Sequence, residues 1–222
     1  MDKKRKKIFV TDFDGTITRN DFYDLICRQF PQILEAGHWG RYESGEISHF
    51  EALRRIFAEI RSDEMVLLEI IEKMEADPDL VENVARLKKQ GWEIVVASAG
   101  SDWYIRKILK DVAADVTVHA NPGKFFPDRG LLMELPHSSA FYSQEVGVDK
   151  VAVVEDALQR ADQVVFAGDG RPDLPAALLV PPERRYARNW LAEKLTAIGE
   201  GFILFEKWSD VTEDLLKEGS SC

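Results

Sequence analysis

Two aspartates one residue apart, Asp12 and Asp14, close a short apolar run, and a second acidic pair, Asp169 and Asp173, follows another such run. Between them in the chain stand Ser98, at the end of a third run, and Lys150. Carboxylates gathered in one crevice repel one another, so the set predicts a divalent cation, and its all-oxygen character suits Mg2+. A carboxylate beside such a cation can attack phosphorus in line, while a lysine and a hydroxyl offset charge on the phosphoryl oxygens. Asp14 falls on the same side of an extended chain as Asp12, where it can protonate a leaving alcohol and later activate water. Gly15 permits a sharp departure of the chain, and Gly168 and Gly170 give the backbone close access around Asp169. Taken singly these residues have ordinary explanations: aspartates after strands cap helices, a buried serine bonds locally, and a lysine is solvated. Their joint pattern is what points to chemistry.

The elements that must position them follow from hydrophobic periodicity. Short β-favouring runs at Ile8–Phe13, Glu93–Ala97, Asp115–Val118 and Gln163–Ala167 read as buried strands. Helical patterns lie at Asp102–Val112, Val148–Ala161 and Leu174–Leu179. Such alternation predicts an α/β fold with a doubly wound, mostly parallel sheet, whose ligands bind at the carboxyl ends of the strands. Residues 20–76 break the alternation: they show no convincing strand, and Leu53, Ile56, Phe57 and Ile60 fall at helical spacing. The expected organisation is therefore a core of residues 1–17 and 81–222 with a helical cap inserted at 18–80. Asp77-Pro78 disfavours helix at Asp77 and can seed a helix at Asp79 or Leu80. The Pro- and Gly-rich stretch from Pro122 to Pro136 suggests a small hairpin.

A net charge of −10 excludes a broad basic face for nucleic acid. One basic arm, Lys3 to Lys7, carries five positive charges against Asp2, which leaves about −14 on the rest of the chain; a solvated tail is the plainer reading. No run approaches the ~18 apolar residues of a membrane span, and no signal-peptide pattern is seen, so a cytoplasmic protein is expected. Cys27 and Cys222 are too few for a disulfide framework. His38, His49, His119 and His137 show no metal-ligand spacing and read as structural or exposed.

The ordered set Asp12-Phe13-Asp14-Gly15-Thr16, Ser98, Lys150 and Gly168-Asp169-Gly170 with Asp173 resembles the haloacid-dehalogenase-like superfamily, in its phosphatase branch with a helical cap. The resemblance implies that Asp12 is phosphorylated and Asp14 is the acid/base. It implies that Mg2+ is held by Asp12, the Asp14 carbonyl and Asp169, with Asp173 in support. Ser98, Ala99, Gly100 and Lys150 would then hold the phosphate of a small phosphorylated metabolite. Within the superfamily, Ser98-Ala99-Gly100-Ser101-Asp102, Ile47-Ser48 with Arg55, Pro136-His137-Ser138 and Ala187-Arg188-Asn189-Trp190-Leu191 are similar to phosphatases of methionine salvage, which act on 2-hydroxy-3-keto-5-methylthiopentenyl-1-phosphate. Phosphoserine phosphatases, or a related phosphotransferase, are the alternative, and positions like Asp21 and Arg55 would face the substrate from the cap. Those salvage enzymes carry a cysteine-rich stretch where this chain has Ser139-Ala140-Phe141-Tyr142-Ser143. A phospho-accepting regulatory domain shares the acidic strand end, Mg2+ and lysine, but is nearer half this length and lacks a cap.

Overall fold

The computed structural model describes residues 6–218, so Lys3, Lys4 and Arg5 of the basic arm and Cys222 lie outside the described residues. Ten strands appear: β1 (Lys7–Thr11), β2 (Trp92–Ser101), β3 (Val116–Asn121), β4 (Gly123–Phe126), β5 (Gly130–Met133), β6 (Tyr142–Ser143), β7 (Gly147–Val148), β8 (Gln163–Gly168), β9 (Arg185–Ala187) and β10 (Ile203–Leu204). The α-helices are α1 (Phe22–Gln29), α2 (His38–Glu43), α3 (His49–Ala58), α4 (Glu64–Lys73), α5 (Leu80–Lys89), α6 (Asp102–Ile108), α7 (Lys150–Arg160), α8 (Leu174–Ala177), α9 (Asn189–Ala197) and α10 (Trp208–Glu218).

Six strands form one sheet in the order β10-β9-β8-β1-β2-β3, and every pairing within it is parallel. Parallel strands are buried on both faces, and alternate residues of β1 go to different cores. Phe9 joins one with Val96 and Val165, against helices α5, α6 and α10. Ile8 and Val10 join the other with Val95 and Phe166, against α7, α8 and α9. The chain passes from β1 to β2 and β3 on one side, then returns to β8 on the other. Strand order thus reverses at β1, and the crevice at its carboxyl end is where such a sheet binds ligands.

Several boundaries differ from the sequence reading. β1 stops at Thr11 rather than Phe13, because the Phe13 carbonyl already accepts from Thr16 and Ile17 amides in the turn that follows. The 102–112 segment is α-helix only to Ile108 and closes as a 3-10 turn over Leu109–Val112. α7 begins at Lys150 because the Asp149 carboxylate caps the Val151 and Ala152 amides.

Between β1 and α5 the chain leaves the sheet and comes back beside itself. Thr18 pairs antiparallel with Ala76, the Arg19 and Asn20 amides donate to the Glu75 and Met74 carbonyls, and the Asp77 amide donates to the Ile17 carbonyl. The excursion contains α1 to α4 and a 3-10 turn at Pro31–Ala36. The hairpin β4-β5 packs on α3, where Gly130, at φ +81°, lies too close to the Phe57 and Ala58 carbonyls to admit a side chain. Arg188 ties the returning C-terminal segment to this junction by donating to the Arg19 carbonyl (2.9 Å) and the Glu206 carbonyl (2.6 Å).

Candidate active site

The carboxyl ends of β1, β2 and β8 open into a cavity of about 500 Å³ whose floor holds Asp12, Asp14, Ser98, Lys150, Asp169 and Asp173. Asp12 follows β1 directly, and its amide still donates to the Ala167 carbonyl of β8 at 2.8 Å, which locks the carboxylate at the strand end. Lys150, the first residue of α7, points inward and is only 5% exposed. Its ammonium lies 2.6 Å from Asp12 Oδ1 and 2.6 Å from Asp173 Oδ1. Burial alone would lower its pKa; the two carboxylates outweigh burial and hold it above the ordinary lysine value.

Asp173 is fully buried, and its second oxygen accepts from the Asp169 and Gly170 amides at 3.0 and 2.8 Å. This ties the turn after β8 into a loop that presents Asp169. Gly168 sits against the Asp173 carboxyl, and Gly15, at φ +67°, against the Asp169 carboxylate; a Cβ at either position would collide with it. Oxygens of Asp12, Asp169 and Asp173 lie within 4.8 Å of one another. An all-oxygen donor set of this size and charge fits Mg2+.

Four of the carboxyls, Asp12, Asp14, Asp169 and Asp21, are held above the usual range. Burial and the neighbouring Asp173 raise Asp12 well above it. Burial and Asp12 push Asp14 up to about 7. Burial and Asp173 push Asp169 up to about 7. Burial, Asp14 and Asp24 push Asp21 up to about 8. Asp14 accepts from the Tyr104 hydroxyl (2.8 Å), the Phe22 amide (3.2 Å) and Ser98 Oγ (3.4 Å). Ser98 in turn accepts from the Gly100 amide at 3.0 Å, and Ala99 and Gly100 complete the rim.

The structure therefore brings Asp12, Asp14, Ser98, Ala99, Gly100, Lys150, Asp169 and Asp173 together. Asp21 joins them: it lines the cavity and caps α1, accepting from the Tyr23 and Asp24 amides. Arg55 does not. On α3 the cavity face repeats every four residues as His49, Leu53 and Phe57, and Arg55 lies two residues from Leu53, about 200° round the helix. Its guanidinium pairs with Glu51 at 2.6 Å and lines a separate groove with His137.

Three contributors escape the sequence reading. Tyr104 comes from α6 and Asn189, whose amide donates to Asp169 Oδ2 at 3.0 Å, from the start of α9. His49, read as structural or exposed, is 7% exposed, lines the cavity and leaves Nδ1 without a partner. Tyr23, Trp39 and Tyr42 line the same wall. The Ala187–Leu191 run is a signal that pointed to the Asn189 region; nothing in spacing marks Tyr104.

Fold and site define a class, and the profile of the haloacid dehalogenase-like hydrolases matches residues 9–178. The chain belongs to that family and is a hydrolase. It is 25% identical over 223 residues to 2-hydroxy-3-keto-5-methylthiopentenyl-1-phosphate phosphatase of Bacillus pumilus, covering 96% of this chain and 94% of that one. It is 24% identical to Pdp3-interacting factor 1 of Schizosaccharomyces pombe, covering 98% of both. Its fold is similar to a phosphoserine phosphatase from T. onnurineus, with a TM-score of 0.61, 20% identity and 98% of both chains covered. A substrate-bound phosphoserine phosphatase gives a TM-score of 0.63 at 18% identity, over 92% of this chain and 95% of that one. Among the described residues no helix is long and apolar enough to cross a membrane.

Proposed function

We propose that the chain is a Mg2+-dependent phosphomonoester hydrolase that acts on a small phosphorylated metabolite through an aspartyl phosphate on Asp12. The observation that carries this reading is the meeting of Asp12, Asp14, Lys150 and the Asp169–Asp173 loop at the switch point of the sheet, under one cavity.

Asp12, Asp169 and the Asp14 carbonyl would hold the cation, with Asp173 fixing the loop behind them. When bound, Mg2+ neutralises the carboxylates and the phosphate so that an anion can approach an anion. An Asp12 oxygen attacks phosphorus, and the ester P–O bond opposite it breaks. Asp14, half-buried and held up to about 7, donates its proton to the departing alcohol oxygen. A water then attacks the same phosphorus, Asp14 takes its proton, and the bond to Asp12 breaks to release phosphate and the free carboxylate. Lys150 and Ser98 hold the phosphoryl oxygens during both steps. The excursion at residues 18–80 serves as a cap that shields the phosphoenzyme from stray water. This activity suits a cytoplasmic enzyme.

Two esters are suggested by the similar proteins: the methylthiopentenyl phosphate and phosphoserine. Phosphoserine would bring its carboxylate into a cavity lined by six aspartates. Of the lysine and arginine side chains lining it, Lys150 is engaged by Asp12 and Asp173, and Arg171 lies over Trp190, 3.8 Å from Glu43. The cavity is thus poorly suited to a free carboxylate.

The test is a panel of phosphorylated metabolites with and without Mg2+, run beside Asp12→Asn. Turnover should require the cation and fall by ~10³-fold or more in the folded variant. A folded Asp12→Asn keeping about a tenth of the activity would move the nucleophile elsewhere.

A further inference from the structure

The wall of the cavity away from the phosphate floor is built from rings. Tyr23 and Trp39 stand 4.6 Å apart between centroids, Trp39 and Tyr42 5.1 Å apart at 65°, and Tyr42 and His49 5.2 Å apart at 75°. All four line the cavity. They come from α1, α2 and the start of α3, so the recess is assembled by the excursion alone.

Two carboxylates stand beside these rings, on the first turn of α1. Asp21 accepts only backbone amides, and neither it nor Asp24 pairs with a basic side chain among the described residues. A neutral leaving group would fill the rings yet bring no counter-charge to the half-buried Asp21 or the exposed Asp24, whose mutual repulsion helps hold Asp21 in its acid form. A cation satisfies both features, since ring faces attract positive charge and the carboxylates neutralise it. His49 does not oppose this: burial keeps the imidazole neutral at physiological pH, and its buried Nδ1 has no partner in the protein. Lys150 lies across the floor, spent on Asp12 and Asp173.

Resting on the phosphatase reading above, we propose that this recess binds an ammonium group, so that the substrate is the phosphate monoester of an alcohol bearing a cationic nitrogen, of the amino-alcohol or choline kind. The phosphate sits on the floor between Ser98 and Lys150, and the nitrogen lies among Trp39, Tyr42 and Tyr23 with Asp21 and Asp24 nearby.

The experiment compares kcat/KM for choline phosphate with that for its uncharged carbon isostere, 3,3-dimethylbutyl phosphate, in the presence of Mg2+. The two esters share size and shape; the ammonium also makes choline the better leaving group, an intrinsic difference that is the same in every variant, so recognition of the charge is read from the change in their ratio on mutation. Wild type should prefer choline phosphate by about tenfold or more. In Trp39→Leu, and in Asp21→Asn, which keeps the helix cap, the ratio should drop by about threefold or more. Because the ratio is taken within one variant, partial loss of folded enzyme cancels. A wild-type ratio near one, with p-nitrophenyl phosphate hydrolysed normally, overturns the inference while leaving the phosphatase reading intact. So does a preference for choline phosphate that both variants leave unchanged. Failure to hydrolyse choline phosphate, the isostere and p-nitrophenyl phosphate alike overturns the phosphatase reading itself, and this inference with it.

Discussion

Replacing Lys150 by methionine keeps the volume of the side chain and deletes the one ammonium between Asp12 and Asp173. Both contacts are 2.6 Å and all three groups are buried, so solvent screening is weak. Removing one partner from a buried ion pair costs about 3–5 kcal/mol, because the charge left behind has neither water nor counter-ion. Against a total stability of roughly 5–15 kcal/mol for a domain, the variant should still fold but be markedly weaker. The loss must depend on pH. The folded pKa of Asp12 already stands above the unfolded one, raised by burial and Asp173 against the lowering effect of Lys150, and without the lysine it rises further. A carboxyl raised in this way contributes stability in acid and loses it as pH climbs through the folded value. Urea denaturation in chelator should therefore show the full deficit at pH 8 and a smaller one at pH 6. Mg2+ at about a hundred times its dissociation constant should return ~2.7 kcal/mol, provided that it binds only the folded form. A deficit below about 1 kcal/mol at pH 8, or one that is the same at pH 6, would refute the claim that Lys150 is what neutralises this floor.

His49, held at about 4 by burial and by Lys150, should drain stability as pH falls from its unfolded value of ~6.5 toward 4, by about 2.5 kcal/mol at pH 4.5; denaturation of His49→Gln at pH 7 and 4.5 should show a shallower fall by that amount. Tyr104→Phe removes a 2.8 Å donor from the Asp14 carboxylate, so the pH profile of turnover should move upward by about one unit, and an unmoved profile would detach Tyr104 from the acid/base. Arg55→Ala breaks a half-exposed pair with Glu51 outside the cavity and should leave the relative rates across the ester panel unchanged, with a stability cost of at most about 0.5 kcal/mol.

What was legible in the sequence is what depends on local pattern. Ile8 to Phe13, of which the strand keeps the part up to Thr11, and Gln163 to Ala167 read as strands because consecutive apolar residues serve two cores, and the acids that end them were visible by type alone. The helical character of residues 20–76 was equally plain from the spacing of Leu53, Ile56, Phe57 and Ile60. The remainder required the third dimension. Strands of two or three residues, such as β9 and β10, carry too few positions to show a period. Tyr104 meets Asp14 across 90 residues of chain, and Asn189 meets Asp169 through a backbone turn at φ +49°. Arg55 was placed at the substrate by likeness of position, and the helical phase of α3 sends it the other way.

The pairing of Thr18 with Ala76 ties the excursion to the sheet at two points that are neighbours in space. For the polymer between them, the entropy of closing the loop is set by those anchors and grows only as the logarithm of length, about 0.6 kcal/mol for each doubling. The carboxylates on the floor issue from β1 and β8, outside the excursion. Length can therefore change between the anchors at little entropic cost, but the start of α1 is not free to vary, because the Phe22 amide donates to the Asp14 carboxylate at 3.2 Å. On the reading proposed above, selectivity would rest mainly on residues between the anchors and hydrolysis mainly on residues outside them, with the Phe22–Asp14 contact joining the two.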